Sequence, residues 1–446
     1  MLRFILSPLL FIVLFQSTLA QPTLTFDASH RARFVGWDKG LGGSLGAPMQ
    51  FTTNRTRAGL TWRPAASLEL RAALLNEFVG WIETPVERPF KMDEVVFEHL
   101  YLRWHDTLGI PVSATVGRQD IRFGEGFILF EGAPLDGSRS IYVNGARADF
   151  EPAEGHRITL LYLHQPMTDD ILPIINDQSR PLAEYTRDIG GLYYTGLASG
   201  FGLEAYVLRS GGESDPWLAN AGERDAHITS TTMGVRAERS FPSGLRMQAE
   251  AAYQRSEVRA FNSYFRTSDA GGEGYSAFPF DGVALNGDIG WTSPDPDLCG
   301  LSARIGMFRY SSQWDPLLGR WPKWNESIVY SKGILIASGY WSNTRAAFLE
   351  VSARPHSTLR VVGKLQLLSH ESGARSFPGG ASPDIGRLAA LYCFWKPDLP
   401  ISASLWIERM WFDNRFISAS QSGLAAGYTW GRIELLYTLP NVPLLD

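Results

Sequence analysis

Apolar and polar residues alternate with a period of two along many segments of this 446-residue chain. In LRMQAEAAYQ (245–254), the odd-numbered residues are Leu, Met, Ala, Ala and Tyr, whereas Arg, Gln, Glu and Gln occupy even-numbered positions. Segments 55–63 and 359–370 repeat the pattern. Because successive side chains of a β-strand point to opposite faces, the alternation predicts strands with one apolar and one polar face.

Short segments rich in Pro, Gly and Asp interrupt these strands, as expected for tight turns. There are eight of them: 63–67, 106–111, 151–156, 198–200, 241–244, 293–297, 354–357 and 396–400. Longer connections, such as 38–50, 262–282 and 311–327, lie between them. Short turns at one end and long loops at the other are typical of outer-membrane barrels. Eight turns delimit nine hairpins, so we predict an all-β, antiparallel transmembrane barrel of about 18 strands.

The first 20 residues, MLRFILSPLLFIVLFQSTLA, have the composition of a secretory signal peptide. Arg3 precedes an apolar run, and the small residues Thr18 and Ala20 precede the expected cleavage site. Residues 21–446 are then expected to form a single barrel domain in the outer membrane of a Gram-negative-type bacterium, in contact with its lipid. Aromatic residues near the short turns predict an interfacial girdle. They are Trp62, Trp104, Phe150, Phe241, Trp291 and Trp395.

Composition limits the partners and the chemistry. A formal net charge of −5 argues against nucleic acid as a partner. Of the 41 basic residues only six are Lys, so Arg dominates, and its weakly hydrated, planar fork of donors suits confined charged surfaces. The only two cysteines, Cys299 and Cys393, could pair in an exported protein or remain free thiols.

The segment TVGRQDIRFGEGF (115–127) carries four charges within eight positions of a strand-like sequence. The wet inner face of a wide barrel accepts such charges, whereas an Arg at the lipid midplane costs about 2–4 kcal/mol. Its three glycines predict a bulge or a close backbone approach where the strand leaves the barrel wall. They are Gly117, Gly124 and Gly126.

Three features together resemble the signature of the alginate-export family of outer-membrane proteins: GRQDIRFGEG (117–126), Arg139 and NGARADF (144–150). That family typically shows GRQ-E/D-L-x-x-G-D/E-G, an arginine, and then D-G-A/V-R. The resemblance implies an eighteen-stranded barrel whose arginine-lined lumen carries an anionic polysaccharide outward, and it leaves room for a periplasmic export partner. The chain departs from the signature at Asn144, where the family usually has Asp, and it lacks a long periplasmic turn that could act as a lid.

Carried over by position, the resemblance implies that three arginines face the lumen and that two carboxylates pair with them. The arginines are Arg118, Arg139 and Arg147, and the carboxylates are Asp120 and Glu125.

The predicted function is passive, selective conduction of an anionic or heavily hydroxylated solute, because arginines in a constriction lower the electrostatic barrier for carboxylates. Alternation places further candidates on the polar strand faces. They are Arg55, Arg57, Arg71, Arg246, Glu250, Arg304, Arg360 and Lys364. Taken singly, each could instead belong to an Arg–Glu ladder that only stiffens the wall.

Two other functions stay open. The segment 311–340 contains Trp314, Trp321 and Trp324 and could plug the lumen of a structural or adhesive barrel. A lipid-modifying enzyme would need a nucleophile, a base and an orienting group held close together, but the eight His residues are scattered through different hairpins. No His, Cys and Asp spacing indicates a metal site. We therefore expect no enzyme, no metal and no cofactor.

Overall fold

The structure is a computed structural model that describes most of the chain. The described residues are 21–39, 48–83, 95–105, 111–131, 143–167, 169, 171–175, 186–213, 227–261, 275–311, 313–319, 327, 344–371, 384–414 and 426–445. The predicted signal peptide and Arg139 lie outside them.

Eighteen long strands form one antiparallel sheet that closes on itself, because the first strand pairs with both the second and the last. In chain order they are β1 (Thr23–Trp37), β2 (Met49–Ala65), β3 (Leu68–Glu83), β4 (Val95–Trp104), β5 (Val112–Gln119), β8 (Val143–Ala153), β9 (His156–Gln165), β10 (Arg187–Ala198), β11 (Phe201–Glu213), β12 (His227–Ser240), β13 (Leu245–Phe261), β14 (Tyr275–Thr292), β15 (Ser302–Tyr310), β17 (Thr344–His356), β18 (Leu359–Ser369), β19 (Asp384–Trp395), β20 (Ile401–Phe412) and β21 (Gly427–Leu445). Three short strands complete the numbering and form a separate small sheet: β6 (Ile121–Arg122), β7 (Leu129–Glu131) and β16 (Leu318–Gly319).

The predicted fold class and strand number are confirmed. Each of the eight predicted turns falls between two strands that pair directly, from β2–β3 to β19–β20, and the nine hairpins follow in the predicted order. Residues 106–110 of the second turn lie outside the described residues. Closure leaves no free edge in the 18-stranded sheet, so each of its strands pairs on both sides, as a barrel in lipid requires.

The two faces of the wall differ as the alternation predicts. On β13, Met247 and Tyr253 are exposed on the outside, whereas Gln248 and Gln254 are buried on the inside. Large apolar side chains cover the outer face of other strands in the same way, for example Ile305 on β15, which is 63% exposed. Of the predicted girdle, four rings are exposed on this face near the short turns. They are Trp62, Phe150, Trp291 and Trp395. This belt is what the acyl chains of a membrane would cover, in agreement with the expected outer-membrane localisation.

Both cysteines are free, with Cys299 exposed in a turn and Cys393 on β19. Among the described residues, no helix is long and apolar enough to cross a membrane.

Glycines allow the chain to leave the wall after β5, as predicted. Gly117, Gly124 and Gly126 have φ values of 125°, 53° and 80°, which L-residues with a Cβ rarely adopt. A Cβ on Gly117 would lie 2.2 Å from the carbonyl oxygen of Leu100 on the neighbouring strand. The sharp change of direction at the end of β5 therefore depends on glycine.

Candidate functional site: a charged pocket inside the barrel

Residues 120–131 fold into the barrel and pack against the wall; they are called segment A below. The Phe123 ring stacks on Tyr193 of β10 with centroids 4.2 Å apart, and the Phe127 ring stacks on Tyr310 of β15 at 4.8 Å. The Tyr310 hydroxyl also donates a hydrogen bond to the Phe127 carbonyl oxygen at 3.2 Å. Aromatic stacking on two separate strands fixes segment A across part of the lumen.

A second inward segment, residues 313–319, extends the same small sheet and is called segment B. β16 of segment B pairs in parallel with β7 of segment A. The Asp315 carboxylate accepts two hydrogen bonds from the Arg187 guanidinium at the start of β10, at 2.7 and 3.1 Å. The Gln254 side chain on β13 bonds both the backbone N–H and the carbonyl oxygen of Asp315, at 2.8 and 2.9 Å. The Arg187 side chain is fully buried, so this bidentate pair is shielded from water.

Between segment A and the wall lies a hollow of about 420 Å³, called the charged pocket. Its described lining includes five arginines and four carboxylates. They are Arg122, Arg147, Arg157, Arg236 and Arg246, with Glu125, Asp149, Glu204 and Glu238. The chain as a whole carries a net charge of −5, so this small excess of positive charge is local.

Three of the predicted site residues meet in the charged pocket. Glu125 accepts a hydrogen bond from Arg246 at 3.1 Å, and Arg246 also donates to Glu238 at 2.9 Å. Arg147 donates to Asp149 on the same strand at 2.7 Å. These side chains come from segment A, β8, β12 and β13, and the Glu125–Arg246 pair joins positions 121 residues apart in the chain.

Arg122 differs from the other arginines of the charged pocket. Its guanidinium lies over the Phe130 ring, 5.9 Å from the centroid, and its side chain is exposed. No carboxylate among the described residues forms an ion pair with it. The Arg122 guanidinium is therefore open to the water of the lumen, where a carboxylate solute could contact it.

A second group of arginines lies on the far side of the lumen by strand order, on β1, β2, β3 and β21, and is called the arginine wall. It comprises Arg31, Arg33, Arg55, Arg57, Arg71 and Arg432. The described carboxylate partners of the wall are Asp27, Glu77, Glu98 and Glu434.

The predicted residues of the arginine wall are firmly paired. The Arg71 guanidinium donates to both Asp27 oxygens, at 2.8 and 3.0 Å, while Arg55 bonds Glu77 and Arg57 bonds Glu98. Arg55 is almost fully buried, whereas the side chains of Arg57 and Arg71 are 24% and 17% exposed. Arg57 and Arg71 are thus the members that retain contact with luminal water.

Arg118 requires a correction. Its side chain is completely buried, and Asp169 accepts two hydrogen bonds from it, at 2.6 and 2.8 Å. Its Nε donates to the Asn144 side-chain oxygen at 3.0 Å, and Nη1 donates to the Phe97 carbonyl oxygen at 2.9 Å. The expectation that Arg118 faces luminal water is wrong, because the segment containing Asp169 covers it. Asn144 supplies the acceptor at the position where the resembled family has Asp.

The other predicted residues occupy separate places. Asp120 lies 3.1 Å from the His99 ring nitrogen, and Glu250 accepts a hydrogen bond from the buried Tyr206 hydroxyl at 3.0 Å. Arg304 donates to Glu350 at 3.1 Å, and both Arg304 and Lys364 lie over the Phe348 ring. Arg360 is exposed at the end of β18 that follows a short turn. None of these belongs to the charged pocket.

Sequence reasoning missed several arginines of both groups. Arg31 and Arg33 stand two apart in HRARF (30–34), so the period-two pattern alone could have found them. Arg122 lies inside the quoted charged segment, but its exposure depends on how segment A docks. Among the described residues, no group of three His, Cys, Asp or Glu side chains could hold a metal ion.

Comparison with known proteins identifies the fold. No protein-family model matches the chain, and no curated protein sequence matches it. Several solved structures do match the chain. Pseudomonas aeruginosa OccK9 (OpdG) has a TM-score of 0.57 at 12% identity, with 94% of this chain and 98% of that chain covered. Acinetobacter baumannii OccAB1 gives 0.54 at 8% identity, covering 95% and 97%. The outer membrane protein OprD from Pseudomonas aeruginosa gives 0.55 at 9%, covering 96% of each chain.

Similarity at this identity shows the fold alone. The solved structures named above support an outer-membrane β-barrel in general, and they lend no support to the alginate-export family in particular. The chain has the 18-stranded barrel fold of outer-membrane porins.

Proposed function

We propose that this protein is an outer-membrane channel that lets small anionic, carboxylate-bearing solutes cross the barrel past the charged pocket. The observation that carries the proposal is the exposed guanidinium of Arg122, which has no carboxylate partner among the described residues and lies in a pocket where arginines exceed carboxylates.

The charged pocket suits passage better than tight binding. A solute carboxylate next to Arg122 gains a charge-assisted hydrogen bond. The neighbouring arginines Arg147 and Arg246 already share carboxylates of the protein, so they attract an anion without holding it strongly. Conduction requires this balance, since the solute must bind strongly enough to enter the site and weakly enough to leave it. The pocket carboxylates add acceptors for solute hydroxyl groups.

The inward segments favour a small solute over a polymer. An anionic polysaccharide, which the alginate-export resemblance implies, needs a continuous open passage for many linked sugar rings. Segment A and segment B are instead docked inside the lumen by aromatic stacking and a buried ion pair. A compact solute can pass beside docked segments more readily than a chain can.

A plugged structural barrel is the second candidate, because the connection between β15 and β17 contacts more than one part of the wall. Asp315 is bound to β10 and β13, while the Ser327 N–H donates to Glu408 of β20 at 3.1 Å. The Tyr428 hydroxyl of β21 also donates to the Ser327 hydroxyl oxygen at 3.0 Å. A connection held at both places reduces the open cross-section of the lumen.

Ion selectivity of the Arg122→Gln variant tests the proposal. In planar bilayers under a salt gradient, the wild-type protein is expected to prefer anions. The variant should lose about fivefold in anion-to-cation permeability ratio, which corresponds to about 1 kcal/mol for one unit charge at about 4 Å in water.

Arg387→Gln is the matched control, because Arg387 is an exposed arginine on the outer face of β19 and should leave selectivity unchanged. Equal selectivity of Arg122→Gln and the wild type would remove the charged pocket from the conduction path. Absence of any conductance in the wild type would favour the plugged barrel.

A further inference from the structure

The outer face of the barrel carries a polar hollow near the long-loop ends of β11–β14. It has a volume of about 1140 Å³ and is called the headgroup hollow. Arg209 and Arg255 lie on either side of Thr231 in one row across the strands, since Arg209 pairs in register with Thr231 and Thr231 with Arg255. Both arginines continue the outward row of exposed apolar residues, represented by Val207 on β11 and Tyr253 on β13.

The two arginines of the headgroup hollow are exposed. Arg209 donates a hydrogen bond to the Thr231 hydroxyl at 2.9 Å, and neither Arg209 nor Arg255 forms an ion pair with a described carboxylate. Glu257 also lines the hollow, and Asp281, the register partner of Arg255, accepts a hydrogen bond from the Tyr253 hydroxyl at 2.7 Å. Because no described carboxylate forms an ion pair with either guanidinium, both can donate hydrogen bonds to an anion that arrives from outside the barrel.

An apolar groove of about 730 Å³ lies on the same wall, further from the loops, and is called the acyl groove. Its outward lining includes Leu192, Val207 and Val235. Met233 and Tyr253 line both the acyl groove and the headgroup hollow, so the two are continuous. A hollow with two exposed guanidinium groups that continues into an apolar groove matches an amphiphile with an anionic head.

We propose that the headgroup hollow and the acyl groove together form a binding site for an outer-leaflet lipid whose headgroup bears a phosphate monoester. The phosphate lies between Arg209 and Arg255, where planar guanidinium forks can each donate two hydrogen bonds to its oxygens. One acyl chain of the same lipid fills the acyl groove. Both arginines lie toward the long-loop ends of β11 and β13, the end of the strands at which an anionic headgroup would attract them.

The test is native mass spectrometry of the full-length protein in detergent, titrated with diphosphorylated lipid A or with phosphatidylcholine. The wild type should retain lipid A in preference to phosphatidylcholine. The double variant Arg209→Gln, Arg255→Gln should bind lipid A about tenfold more weakly. The control double variant Arg345→Gln, Arg387→Gln removes two other outward arginines, on β17 and β19, and should bind like the wild type.

Several results would overturn the site. One is that the Arg209→Gln, Arg255→Gln variant binds lipid A as tightly as the wild type. Another is that the control variant loses as much affinity for lipid A as this variant does. A third is that the wild type retains phosphatidylcholine as well as lipid A. An excess of inorganic phosphate should not displace the lipid, because the acyl groove holds the chain. Complete displacement would assign the hollow to free phosphate instead. Heat-modifiable migration on gels shows that each variant is folded, and unchanged conductance separates this site from the proposed channel function.

Discussion

Replacing Asp315 with alanine is expected to release segment B from the barrel wall and to raise single-channel conductance. The substitution removes both hydrogen bonds of a bidentate ion pair and leaves the Arg187 guanidinium buried without that partner. Removing one partner of a buried pair typically costs about 3–5 kcal/mol. The strands keep their own backbone hydrogen bonds, so the cost falls on the docked position of segment B. Single-channel recording in planar bilayers measures the effect.

The double variant Arg187→Ala, Asp315→Ala separates the effect of releasing segment B from the effect of leaving a buried charge without its partner. It should also conduct more than the wild type, but with a smaller loss of stability, because no unpaired charge remains inside the barrel. Glu371→Ala is the control, since Glu371 pairs with Arg309 outside the lumen-facing row of β15. A folded Asp315→Ala protein with wild-type conductance would mean that segment B does not restrict the channel.

Arg118→Ala is expected to destabilise the barrel strongly. It removes four hydrogen bonds and leaves the buried Asp169 carboxylate without the guanidinium that neutralises it. The expected loss is about 3–5 kcal/mol of unfolding free energy. Urea titration of the protein in detergent measures this loss, with unfolding monitored as the disappearance of heat-modifiable migration on gels.

The control for Arg118→Ala is Arg157→Ala, which breaks an ion pair with Glu151 whose side chains are 50% and 53% exposed. Exposed pairs contribute about 0–1 kcal/mol, so this variant should unfold close to the wild type. Similar urea midpoints for the two variants would show that the buried Arg118–Asp169 pair does not stabilise the barrel.

The barrel could be predicted from sequence because its signals are local. A strand between lipid and water must alternate every second residue, and a tight turn must contain Pro, Gly or Asp. These two requirements suffice to locate all nine hairpins. They also place Arg55, Arg57 and Arg246 on the luminal face without knowledge of any neighbour.

The site could be predicted only in part because partner choice depends on distant segments. The sequence shows that the chain leaves the wall after Gly117, but not that Phe123 would stack on Tyr193 of another hairpin. The resemblance places Arg118 in the lumen, and nothing local in the sequence indicates that Asp169 binds and covers it. For the same reason, the exposure of Arg122 follows from tertiary docking and not from alternation.

Chemical modification of a single cysteine tests most directly whether the charged pocket lies on the conduction path. Both native cysteines are free, so the variant Arg122→Cys is made together with Cys299→Ser and Cys393→Ser. A negatively charged, thiol-specific sulfonate reagent is added during recording of open channels. The anion current is expected to fall as the new thiol is modified, while the background without Arg122→Cys is unaffected. A thiol that reacts fully and leaves the current unchanged would place the charged pocket off the conduction path.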